Sequence, residues 1–123
     1  MAINKAMRAA LKALSYPDLD IKKTYKMERQ VHELTGKLYQ KPPLYKSWDR
    51  EIPCGDHNVP VRIFSPSGEG PHPVLLFFHG GGWVVGNIDS YDGVCTDMAQ
   101  LTDRVVVSVD YRLAPEYPFP AGL

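Results

Sequence analysis

An α/β protein with a parallel sheet is the fold class this sequence predicts, on three observations. The stretches "VLLFF" (Val74 to Phe78) and "RVVVSVD" (Arg104 to Asp110) are of strand length and rich in large or branched apolar residues. That texture is expected of strands covered on both faces. Between them Tyr91, Val94, Cys95, Met98 and Leu101 recur at helical spacing, with Asp89 or Ser90 placed to cap the helix. The first strand is joined to that helix by "HGGGWVVGN", in which three consecutive glycines follow His79. Strand, glycine loop, helix, strand is one right-handed βαβ unit.

The elements before it follow in order. Ile3, Met7, Ala10, Leu11 and Leu14 fall on one helical stripe, predicting an amphipathic helix over the first 15 residues that Pro17 ends. A second helix is expected from about Asp20 to Tyr39, with Ile21, Tyr25, Val31, Leu34 and Leu38 on its apolar face. Gly36 should weaken its last turn, and Pro42-Pro43 closes it. "SWDREIPC" and "VPVRIFSP" then flank "GDHN" as a β-hairpin. "SGEGPHP" reads as a surface loop, and the proline-rich "YRLAPEYPFPAGL" as a loop or helix approach. The division is a helical region over 1–45 and a sheet-forming region over 46–123.

Composition bounds the function classes. The 123 residues suit one small domain of ordinary globular composition, 44% apolar and 23% charged. Formal net charge is zero, so nothing points to nucleic acid. Residues 1–50 carry an excess of six positive charges and residues 51–123 an excess of six negative ones. The basic cluster Lys22, Lys23, Lys26 and Arg29 reads as a solvated helix face. No apolar run approaches the roughly 20 residues of a membrane span. The first residues, interrupted by Lys5, Arg8 and Lys12, do not resemble a signal peptide. Two cysteines 41 apart without a CxxC pattern predict reduced thiols in a cytoplasmic protein. His32, His57, His72 and His79 lack metal-ligand spacing, so no metal is expected.

A bare backbone at the carboxyl end of a parallel strand serves ligands, because glycine adopts positive φ and lets them approach N–H groups. One chemistry is nucleotide binding. A Walker loop is excluded, since no lysine follows the glycines. Gly80, Gly82 and Gly86 give G-x-G-x-x-x-G, one residue too long for the dinucleotide fingerprint, although Asp110 stands where a ribose-binding acid would. The other chemistry is acyl transfer, in which two loop N–H groups stabilise an oxyanion by about 3–4 kcal/mol each.

"HGGGWVVGN" followed by "VVSVDYRLAPEYPFPAG" resembles the α/β-hydrolase fold, in particular the hormone-sensitive-lipase-like carboxylesterases. The resemblance runs from about residue 50 to residue 123, and the helices of 1–45 are similar to that branch's N-terminal cap. It implies that Gly81 and Gly82 are the oxyanion donors, that Gly80 gives the loop room to turn, and that His79 positions the loop. Trp83 either lines the acyl pocket or packs beneath the loop. Asp110, Tyr111, Arg112 and Glu116 resemble a structural brace beside the site. Tyr91-Asp92 departs from the family's His-Asp pair. The implied substrates are small carboxylic esters, with short acyl chains and no cofactor.

Such an enzyme needs a serine on a G-x-S-x-G elbow, and Ser15, Ser47, Ser65, Ser67, Ser90 and Ser108 all lack it. The sequence therefore reads as the N-terminal, oxyanion-hole portion of an esterase, inactive alone. A complementing polypeptide or a missing C-terminal part would complete the sheet, and without one the chain is expected to be insoluble or molten. A non-catalytic member that binds a small molecule is the alternative reading.

Overall fold

The computed structural model describes residues 20–38 and 46–123, together with Lys5, Arg8 and Ala9. The helix expected over the first 15 residues therefore lies outside the described residues, save for those three. α1 (Ile21–Leu38) precedes a hairpin of β1 (Ser47–Cys54) and β2 (His57–Phe64). β3 (Val74–Phe78), a short 3-10 turn (Asp89–Tyr91), α2 (Asp92–Thr102) and β4 (Val105–Val109) follow.

The strands form one mixed sheet in the order β1-β2-β4-β3. β3 and β4 are parallel, with Leu75 opposite Val106 and Phe77 opposite Ser108. β2 runs antiparallel to β4 on its other side, so β4 is internal and β3 forms an edge. The hairpin turn is tighter than expected: only Gly55 and Asp56 lie outside the strands, Gly55 at φ 62°, and His57 and Asn58 belong to β2.

α2 covers one face of the sheet. Phe64, Cys95, Ala99 and Val106 are its buried centre, with Leu75, Phe77, Tyr91 and Met98 packed around them. The helix is rotated from the face expected for it. Ala99 is buried while Leu101 is 86% exposed and Val94 is exposed as well. Small side chains at Cys95 and Ala99 let the helix lie close to the strands, and that contact outweighs the larger residues. Neither Asp89 nor Ser90 caps α2. The Asn87 carboxamide oxygen instead accepts from the Ser90 N–H at 2.8 Å and the Ser90 hydroxyl at 2.6 Å.

On β3, Leu75 and Phe77 pack toward α2 and Tyr91, while Val74, Leu76 and Phe78 on the opposite face are exposed, in keeping with a sheet that has one crossover helix to cover it. Another expectation is corrected by the packing. In α1, Gly36 is a buried contact rather than a weak point. A Cβ there would lie 2.7 Å from the Ser90 Cα, so its absence lets α1 rest on the 3-10 turn.

Candidate functional site

The carboxyl ends of the parallel strands β3 and β4 release two segments side by side, 79–88 and 110–123. Their union begins at His79, which is 3% exposed. Its ring stacks on Tyr111 with centroids 4.3 Å apart and on Tyr91 at 5.8 Å. Nδ1 lies 2.9 Å from the Gly80 carbonyl, so the ring proton sits on Nδ1. The Tyr111 hydroxyl donates to the His79 carbonyl at 2.6 Å. Among the described residues Nε2 has no hydrogen-bond partner. The ring is thus enclosed between two tyrosines, with Nδ1 and the backbone carbonyl both engaged at the start of the loop.

Backbone shape then decides the loop. Gly81 adopts φ 128°, and a Cβ there would overlap the Val85 carbonyl. Gly86 adopts φ 96°, and a Cβ would lie 2.5 Å from His79 Nδ1 and 2.7 Å from the Gly80 carbonyl. Between them the Gly81 carbonyl accepts from the N–H groups of both Val84 and Val85 at 3.1 Å, closing one tight turn. Gly82 at φ 61° and Trp83 at φ 59° are both left-handed. For tryptophan that conformation costs about 1–2 kcal/mol, so the surroundings must impose it.

The consequence for chemistry lies in the donors. Within the described residues, neither the Gly81 nor the Gly82 N–H donates to any internal acceptor. Gly82 is exposed and Gly81 half-buried, so two adjacent amides at a strand's carboxyl end carry no acceptor among the described residues. Gly80 is exposed and faces the Tyr91 hydroxyl.

Trp83 does not pack beneath the loop. It is 62% exposed and, with Arg112, Tyr117, Phe119 and Leu123, lines an apolar cavity of about 320 Å³. Arg112 folds the tail that forms its far wall, donating Nε–H to the Ala121 carbonyl at 3.0 Å and placing its guanidinium over the Tyr117 ring. Asp110 is half-buried just after the end of β4. Burial raises its pKa, against the attraction of His79 and Arg62.

Glu116 meets a residue the sequence did not point to. Arg29 of α1 donates Nη1–H to Glu116 Oε1 at 2.9 Å and Nη2–H to Oε2 at 3.0 Å. Its Nε–H reaches the Val84 carbonyl at 2.8 Å and Nη2–H also reaches the Ala114 carbonyl at 2.9 Å. The ion pair holds the Glu116 carboxyl below its ordinary pKa. Lys22, Lys23 and Lys26 are exposed as expected, but Arg29 is not part of a solvated face. The available signal was its chemistry, since a planar guanidinium among lysines is suited to several fixed acceptors at once. Arg62 of β2 was missed too. It binds Asp49 in bidentate fashion at 2.7 and 3.1 Å and reaches Asp89 at 2.7 Å and Asp92 at 3.1 Å, tying the hairpin to the start of α2.

Comparison with known proteins bears on this arrangement. A family model for the alpha/beta hydrolase fold matches residues 75–123, the stretch that contains both loops. A hyperthermophilic esterase from the archaeon Pyrobaculum calidifontis superposes with a TM-score of 0.77 at 33% identity, over 99% of this chain and 39% of its own. The fold of this chain is that of the α/β hydrolases. An arylesterase of Saccharolobus solfataricus is 36% identical over 97 residues, 79% of this chain and 32% of that protein. Esterase LipI of Mycobacterium tuberculosis is 59% identical over 68 residues, 53% of this chain and 21% of that protein. A thermostable carboxylesterase from a metagenomic library superposes with a TM-score of 0.74 at 36% identity, over 85% of this chain and 36% of its own. This α/β-hydrolase chain thus spans about a third or less of the two esterases it matches in sequence. Among the described residues no helix is long and apolar enough to cross a membrane, and no group of three or more His, Cys, Asp or Glu is placed to hold a metal ion.

Proposed function

We propose that this chain supplies the oxyanion-binding side of a serine carboxylesterase site, with Gly81 and Gly82 as the donors. The observation that carries the reading is the pair of adjacent amides without internal acceptors, on a turn braced by His79, Tyr111 and Arg29. In ester hydrolysis a serine oxygen adds to the carbonyl carbon, and the carbonyl oxygen takes the negative charge. Two preorganised N–H groups stabilise that charge as it forms, with no reorganisation at the moment of reaction. A histidine takes the serine proton and returns it to the departing alcohol. None of the six serines of residues 1–123 stands on a nucleophile elbow, and His79 is enclosed, so those groups belong to polypeptide beyond this sequence. The apolar cavity beside Trp83, about 320 Å³, suits a short acyl chain.

The test is hydrolysis of p-nitrophenyl acetate and p-nitrophenyl decanoate by the natural gene product and its Gly82→Ala variant. Alanine at 82 meets no atom within 4 Å, so the fold should survive while the left-handed turn shifts. The expected result is a preference for acetate and a kcat lowered by about 10²-fold, comparable to the loss of one oxyanion donor. Unchanged kcat in a folded variant would remove Gly82 from the site.

A further inference from the structure

We propose that Arg29 is a positioning residue for the glycine loop, so that the loop keeps its donor geometry only while α1 is seated on it. The inference rests on the esterase reading for its catalytic consequence but not for its structural one. Arg29 closes a ring of hydrogen bonds. The Trp83 carbonyl accepts from the Ala114 N–H at 2.8 Å, the Ala114 carbonyl accepts from Arg29 Nη2, and the Val84 carbonyl accepts from Arg29 Nε. Two consecutive carbonyls of the loop are therefore gripped, one by the tail and one by α1, and the same guanidinium joins the two grips. The gripped pair lies directly after Gly81 and Gly82 and includes the left-handed Trp83.

Two more contacts show that α1 is aimed at this segment. The Arg29 guanidinium lies over the Tyr25 ring, 4.9 Å from its centroid, which fixes its plane. Seven residues on, Gly36 brings the helix against Ser90 at the far end of the same loop. α1 thus touches segment 79–91 near both its turn and its exit, and lifting the helix would free the Val84 carbonyl and the tail together. Lysine could keep the ion pair with Glu116, but one ammonium cannot serve two separate carbonyls and a carboxylate in the guanidinium's geometry. The ion pair itself is partly exposed and screened. Positioning therefore comes from the carbonyl bonds.

The test compares Arg29→Lys, Arg29→Ala and Glu116→Gln in the natural gene product, by hydrogen–deuterium exchange and by ester turnover. The reporting amides are those of Val84, Val85 and Ala114, which carry the turn and the loop–tail bond. Amides within β2 and α2 serve as controls. Both Arg29 variants should accelerate exchange at the reporters about tenfold, the effect of losing one hydrogen bond that limits local opening, and leave the controls unchanged. In turnover kcat should fall while KM holds. Glu116→Gln, which keeps an acceptor for Arg29, should stay close to wild type in both readouts. Equal acceleration in reporters and controls, no acceleration, or a Glu116→Gln effect as large as that of Arg29→Lys would overturn the proposal. If the wild-type protein hydrolyses no ester, the catalytic reading fails and the exchange comparison still decides the positioning role.

Discussion

Gly86 shows how much of the loop is decided by single atoms. Any side chain there meets His79 Nδ1 and the Gly80 carbonyl while also holding a φ of 96°. Gly86→Ala should cost about 2–4 kcal/mol, read as a fall in the denaturation midpoint of the natural gene product. An unchanged midpoint would mean that the packing of His79 is not what fixes the loop. Asp110 carries the opposite kind of strain, since burial raises its pKa above 3.8. Folding then works against ionisation, so the folded state loses stability as pH climbs from about 3.8 through the raised value. Asp110→Asn keeps the shape of the side chain and removes that cost. Its Tm should exceed the wild-type value at pH 7, with the gap closing below pH 3.8. A variant less stable than wild type at pH 7 would show that the charge is wanted. Asp49, whose pKa is lowered chiefly by its bond to Arg62, acts with the reverse sign and loses its contribution as pH falls below 3.8.

Among the elements, the helices separate what periodicity reveals from what packing decides. The extent of α1 was legible, since Ile21–Leu38 agrees with the stretch between Asp20 and Pro42-Pro43. Its docking was not. Gly36 looks like a propensity defect in one dimension and is a contact in three, because Ser90, 54 positions on in sequence, approaches it. Free-helix propensity would have Gly36→Ala gain about 1 kcal/mol. Against Ser90 the substitution should instead cost about 1–3 kcal/mol as overpacking. A thermal melt gives the sign directly, and a stabilised variant would remove this contact from the docking of α1. The strands were legible from their apolar runs and turn residues, whereas the rotation of α2 was not. Tyr91, Val94, Cys95, Met98 and Leu101 form a plausible stripe, but burying Ala99 in place of Leu101 depends on how closely the helix approaches β4. The site divides the same way. The motif singles out Gly81, Gly82 and His79 as candidates, while Arg29 and Arg62 act across 55 and 27 residues of chain. No local pattern records those partners.

At the scale of the whole sheet the described residues pack on one side. Among the described residues one face of the sheet is filled by α2, while the other presents Val74, Leu76 and Phe78, each at least 60% exposed, on an edge strand. Apolar edge strands of this kind pair with other polypeptide when they can. The esterases matched in sequence are three or more times as long as the stretch they share with this chain. The oxyanion donors and the reactive serine are therefore placed on different stretches of polypeptide in the proposed enzyme, and that separation is the central claim. Its most direct test is to treat the natural gene product with a serine-reactive fluorophosphonate and locate the label by mass spectrometry. The expected result is one phosphonylated serine outside residues 1–123, with Ser15, Ser47, Ser65, Ser67, Ser90 and Ser108 unmodified. Label on any of those six, or no label on an ester-hydrolysing protein, would contradict it.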